Sequence, residues 1–194
     1  SSFKVLEEFV EKVKRGGPSF SGQRYAHNHY GVIASVDQHS QYPTQMVKPL
    51  PSERYCYYDA EYLTSEARQK KVLKFCKSIY KTDQLKCREN AFLEVDLEIP
   101  HHLHSYFRYY SPIIENVQPE ECEYTTTLHE LKGTKPSKES KLISTLRPQT
   151  KYAVSASRLG WMLLNGVKVT KIHRVLYFWT NLYMKPFIMK WYNE

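Results

Sequence analysis

The residues best suited to chemistry lie in Val36-Asp37-Gln38-His39-Ser40-Gln41-Tyr42-Pro43. The short apolar run before them, Gly31-Val32-Ile33-Ala34-Ser35-Val36, predicts a buried strand that ends on the Asp37 carboxylate. A carboxylate in that position offers a hard oxygen ligand to a divalent cation such as Mg2+. The turn that follows offers backbone N–H groups to phosphate oxygens. A strand-terminal aspartate also caps turns, a use that needs no ligand.

Other clusters carry weaker signals. His101, His102 and His104 follow Pro100, but adjacent side chains diverge and no fourth ligand stands at a suitable spacing, so they read as a polar surface turn. Glu94, Asp96 and Glu98 share one face of a predicted strand and read as an acidic solvent face. Lys168, Lys171, His173 and Arg174, interleaved with Tyr177 and Trp179, have the mixed cationic and aromatic character of a nucleic-acid surface. The lysines between residues 68 and 81 offer a second basic face. Cys56, Cys76, Cys87 and Cys122 show no metal-ligand spacing and read as free thiols of an intracellular protein. No local hydrolase motif occurs.

A chain of 194 residues, 41% hydrophobic and 25% charged, can bury one core, with or without a smaller lobe. Its net charge of +8 suits a polyanionic partner. No apolar run approaches the ~20 residues of a membrane span. The start at Ser1-Ser2-Phe3 reads as a cut inside a longer chain or an expression junction.

Periodicity predicts a helix over 2–15, closed by Gly16-Gly17-Pro18, and a second helix over 65–81 capped by Thr64 or Ser65. Pro43, Pro49 and Pro51 argue against a long regular element in the stretch that follows Asp37. Strict alternation over 91–99 predicts a half-buried strand, and 132–141 reads as a basic loop. Short strands follow at 142–146 and 152–154, then a helix over 157–164 stopped by Asn165-Gly166. A long strand over 167–178 and a helix over 182–192, bent at Pro186, complete the chain. The class is α+β, with about six strands and about four helices.

Against this background DQHSQYPTQM at 37–46 resembles motif A of family B DNA polymerases: Asp, two or three variable positions, then Leu-Tyr-Pro. KPLP at 48–51 is similar to the protein-primed members carried by Polinton or Maverick transposons, related viruses and linear organellar plasmids. Arg15-Gly16-Gly17 followed by Tyr25-Ala26-His27-Asn28 resembles the segment that joins exonuclease and polymerase domains. FLEVDLEIPHHLH at 92–104 and KLISTL at 141–146 resemble the insertion after motif A. VKVTKIHRVLYF at 167–178 and MKPFI at 184–188 resemble the approach to the fingers. The matches are collinear over residues 13–190.

The resemblance implies a partial palm with an antiparallel sheet bearing Asp37, plus an inserted α/β lobe. Residues 1–47 would be the linker helix and motif A, 48–150 the inserted lobe, and 151–194 the return to the palm. It makes Asp37 a metal ligand that bridges two Mg2+ ions. Tyr42 would lie under the incoming sugar, and the amides around Gln38, Ser40 and Gln41 would face the triphosphate. Arg15, Gly16 and Gly17 would touch the template strand. The basic cluster of Lys168, Lys171 and Arg174 would add nucleic-acid contacts. The implied partners are template–primer DNA and a terminal priming protein, in nucleus or cytoplasm, with no membrane.

Two departures accompany the matches. Gln41 replaces an apolar family residue, and a buried, unpaired amide would cost about 1–3 kcal/mol. The sequence also contains no fingers lysine motif, no Thr-Asp motif after the fingers approach at 184–188 and no Asp-x-Glu upstream of residue 37. The expectation is therefore a portion of a protein-primed DNA polymerase that is not catalytically complete alone. The alternative is a non-catalytic derivative that binds nucleic acid or protein.

Overall fold

The computed structural model describes residues 2–17, 31, 34, 36–118, 123–133 and 140–192. Among them run strands β1 (Leu50–Tyr58), β2 (Glu89–Glu98), β3 (Ile113–Val117), β4 (Lys141–Thr145), β5 (Gln149–Ser155) and β6 (Lys168–Asn181). The helices are α1 (Ser2–Val13), α2 (Gln41–Met46), α3 (Glu66–Lys81), α4 (Glu123–Lys132), α5 (Ala156–Leu164) and α6 (Lys185–Tyr192). The four-stranded sheet has the order β1-β6-β2-β5, and β3 pairs with β4 in a second sheet. Every pairing is antiparallel. The α+β class holds.

The alternation of β2 explains its central place. Leu93, Val95 and Leu97 join Ile172 and Val175 of β6 on one face of the sheet. There they pack against Val72 and Cys76 of α3 and Leu159 and Met162 of α5. The other face carries Ala153 and Leu176, which α1 covers with Phe9 and with Leu6, Val10 and Val13 around it. Their i, i+3, i+4, i+7 spacing is what lets α1 lay one stripe on the sheet. The large sheet takes β1 and β2 from residues 48–150 and β6 from 151–194, and β5 itself crosses residue 150. A boundary near residue 150 would therefore cut through one hydrophobic core.

Because α1 forms a second layer, the supposed acidic solvent face of β2 is covered at Glu94, while the Glu98 side chain stays 43% exposed. Glu94 is only 4% exposed, and its Oε2 accepts from Arg174 Nη2 at 2.7 Å. Asp96 accepts the Lys151 backbone N–H at 2.8 Å, and the same oxygen lies 2.7 Å from His173 Nε2. Burial alone would push the Asp96 carboxyl up, but the Lys151 N–H, His173 and the nearby Lys171 charge together hold it below the usual carboxylate range. A depressed folded-state value contributes stability that is complete above about pH 4 and is lost as pH falls through the folded value. The thermal midpoint should thus fall more steeply on acidification in the wild type than in Asp96→Asn. Parallel acid limbs would remove Asp96 from the acid response.

The proline-rich stretch is more regular than its composition suggests. Pro43 is the third residue of α2, within the first turn, whose N–H groups have no helical acceptor. Pro51 is tolerated because β1 is an edge strand. Pro186 likewise sits in the first turn of α6 and starts that helix rather than bending it. The predicted strand over 31–37 is not seen. Gly31, Ala34, Val36 and Asp37 have no strand structure, and Val32, Ile33 and Ser35 lie outside the described residues. So do Tyr25–Asn28, Cys122 and residues 134–139 of the predicted basic loop.

Candidate nucleic-acid interface

Asp37 stands on an exposed segment ahead of α2 rather than at a strand end. Val36 before it is 92% exposed. Ser40 takes a left-handed conformation, φ 53° and ψ 39°, and turns the chain into α2. Its carbonyl accepts from Thr44 N at 3.0 Å and Thr44 Oγ1 at 2.9 Å. Tyr42 is 79% exposed, and Gln38 and Gln41 are exposed as well. Exposure spares Gln41 the cost of burying an unpaired amide.

Among the described residues no group of three or more His, Cys, Asp or Glu side chains could hold a metal ion. Two-metal chemistry needs carboxylates around both ions. Asp37 by itself does not fit that pair. The His101–His104 segment forms a surface turn in which His104 Nε2 lies 2.9 Å from the Ile99 carbonyl.

Arg15, Gly16 and Gly17 are drawn into a cleft. Beyond Val13 the chain crosses edge strand β5, where Arg15 donates to the Ala153 carbonyl. The same guanidinium lies 4.1 Å above the centre of the Tyr152 ring. Tyr152 is held in turn: its hydroxyl accepts from Ile114 N at 3.1 Å and donates to Ile114 O at 3.3 Å. Facing Arg15 is Arg158 of α5, whose Nη2 donates to the Pro112 carbonyl at 2.9 Å. With Gly16, Gly17 and Ser155 the two arginines line a cleft of about 400 Å³.

The glycines matter here for what the fold does not ask of them. A Cβ on Gly17 would meet nothing within 4 Å, and one on Gly16 would meet only Leu142 Cδ2 at 3.8 Å. Neither residue adopts a left-handed φ. Packing and backbone conformation therefore leave both positions free. What glycine supplies is an open approach to the backbone N–H groups beside two cations, the setting a phosphate needs. Each guanidinium has N–H donors beyond its anchoring bond.

The β6 cluster divides. Lys168 is 64% exposed and lies 3.8 Å from Glu98, while Lys171 is exposed beside Asp96. Arg174 does not reach the surface as expected; it is held by Glu94 beneath Phe9, 4.4 Å from the ring centre. The second layer formed by α1 is the reason. Neither the lysines nor Asp37–Tyr42 line the Arg15 cleft. Arg158 was missed in the sequence; its only signal was a place three residues after Ser155, whose Oγ accepts the Arg158 N–H at 3.4 Å.

Comparison of the chain with protein-family models, curated proteins and solved structures gave no match in any of the three. Function here rests on the residues themselves.

Proposed function

We propose that this chain is a DNA-contacting portion of a protein-primed family B DNA polymerase, not catalytically complete alone. The observation that carries the reading is the Arg15–Arg158 cleft. The three residues that the resemblance assigns to the template strand line it, with a second arginine opposite and two glycines that internal packing does not use. In this reading Arg15, Arg158 and the Gly16-Gly17 amides hold successive template phosphates. Exposed Lys168 and Lys171 add diffuse attraction. Asp37 is one carboxylate of the intact Mg2+ site, with Gln38–Tyr42 beside the nucleotide, and the remaining ligands come from elsewhere in the polymerase. A priming protein is the second partner, in nucleus or cytoplasm.

A non-catalytic derivative that still binds nucleic acid is the second reading. It is favoured by the isolation of Asp37 from other metal-binding side chains among the described residues. Both readings keep the cleft.

The test is fluorescence anisotropy with a primer–template duplex carrying a single-stranded overhang, at several salt concentrations. Wild-type affinity should fall steeply with salt. Arg158→Gln should reduce the slope of log K against log salt by about 1. Gly17→Asp should weaken binding roughly tenfold through charge repulsion, with an unchanged melting temperature because the position is open. Wild-type affinity and slope in both variants would defeat the assignment.

A further inference from the structure

We propose that a second cleft, between β1, the start of α3 and the far end of β6, binds single-stranded nucleic acid by stacking a base on its aromatic wall. The cleft has a volume of about 410 Å³ and shares no lining residue with the Arg15 cleft. It stands independently of the polymerase reading.

Its wall combines rings and cations. Tyr58 and Tyr62 stack at a centroid distance of 4.3 Å, and Tyr177 meets Tyr58 edge-on at 5.9 Å. Arg54 lies 3.9 Å over the Trp179 ring, and Arg68 lies 4.2 Å over Tyr62. Arg68 is fixed there by donating to the Tyr62 carbonyl at 2.8 Å. Lys71 completes the basic rim. Glu66 nearby is taken by Lys70 at 2.7 Å, and neither Lys71 nor Arg54 forms an ion pair among the described residues. Against these three cations the lining holds one carboxylate, Glu89. Burial pushes the Tyr177 phenol up to about 12, and the Tyr58 phenol is raised by its bond with Cys56. Both rings therefore stay neutral toward an anionic ligand.

A second observation points to use rather than packing. Arg54 has φ 55°, a left-handed conformation that non-glycine residues avoid. It sits where the β1–β6 register breaks, between Pro51 and Glu53 and again between Glu53 and Cys56. Bulges on edge strands re-aim side chains and are common beside functional sites. This one carries the Arg54 guanidinium onto Trp179 at the mouth of the cleft. Strain held by an exposed residue is the mark of a conformation kept for what the side chain does.

Flat rings flanked by guanidinium groups match an unstacked base and its phosphates, the pairing by which single strands are gripped without sequence readout. A duplex hides its base faces. An acidic peptide would use the cations and leave the ring wall bare.

The experiment measures the whole chain against a fluorescein-labelled single-stranded thymidine 12-mer, with unlabelled 12-mer, a 12-base-pair duplex and inorganic polyphosphate as competitors. Thymidine 12-mer should compete best. Trp179→Ala should weaken binding about tenfold or more. Arg54→Gly is the decisive variant, because glycine relieves the left-handed conformation. Its melting temperature should hold or rise while affinity drops several-fold. The proposal is overturned if Arg54→Gly lowers the melting temperature and leaves 12-mer affinity unchanged, which would make the arginine a packing element. It is equally overturned if polyphosphate or duplex competes as well as the 12-mer.

Discussion

Replacing Gly160 by alanine should separate α3 from α5 and lower the stability of the chain by about 3 kcal/mol or more. A Cβ built at Gly160 would lie 2.1 Å from the backbone carbonyl oxygen of Cys76 and 2.8 Å from Tyr80 Cβ. The nearest atom is main chain, so no rotamer change can relieve the contact. One helix must move, and Leu159 and Met162 are committed to the same core as Val72 and Cys76. The gain in helix propensity from glycine to alanine, about 1 kcal/mol, is too small to offset that movement. Urea unfolding should show the loss as a lower midpoint.

The cysteines provide an independent readout of that separation. Cys76 is buried between the two helices, and burial pushes its thiol up to about 12, whereas Cys56 is exposed. A thiol held protonated in the core resists alkylation. In the wild type Cys56 should react with iodoacetamide long before Cys76. In Gly160→Ala the two rates should converge. Gly17→Ala, placed in open space, is the control that should change neither midpoint nor rate.

The sequence disclosed those elements whose own side chains declare a face. The alternation of residues 91–99 became β2, and of Val72, Leu73, Cys76, Ile79 and Tyr80, whose spacing points inward, Val72, Cys76 and Ile79 became the buried stripe of α3 while Tyr80 is 42% exposed. Asn165-Gly166 stopped α5 because Gly166 takes φ 86°, the left-handed conformation of a helix end. Elements without such a face escaped. β1 is a bulged edge whose residues 53–57 are all exposed, so no alternation marks it. β3 is five residues long and draws its order from β4 and from the Tyr152 hydroxyl. Val36 departed in the opposite sense: an apolar residue expected to be buried is 92% exposed.

The same asymmetry governs the site. Arg15, Gly16 and Gly17 were singled out through a family resemblance, and the fold brings them into one cleft. Their partner Arg158 lies in a mainly apolar helix and is joined to them only by the way β5 and α5 fold together. Lys168, Lys171 and Arg174 looked equivalent on one strand. What separates Arg174 is a helix more than 160 positions earlier in the chain, a distance no local pattern spans.

Breaking the pair that α1 covers should have the largest effect of any charge substitution. The side chains of Arg174 and Glu94 are 16% and 5% exposed, and their 2.7 Å contact joins β6 to β2 beneath Phe9. Glu94→Ala would leave a guanidinium with little access to water and no counter-charge, a loss of about 3–5 kcal/mol. The Tyr57 side chain still hydrogen-bonds the guanidinium, but it carries no counter-charge and Arg174 Nε lacks a partner, so the compensation is partial. Glu94→Gln, which keeps an acceptor and loses the charge, should fall between wild type and Glu94→Ala. The double substitution Glu94→Leu with Arg174→Met should regain most of the stability, because apolar side chains of similar volume avoid the desolvation cost of both ions. A double-mutant cycle on urea midpoints reads the coupling directly. The same double variant also separates structure from binding: if Arg174 serves only the layer between α1 and the sheet, its affinity for DNA should equal that of the wild type. A weakened salt-dependent affinity in a stably folded double variant would return Arg174 to the nucleic-acid surface and require α1 to lift away from the sheet when DNA binds.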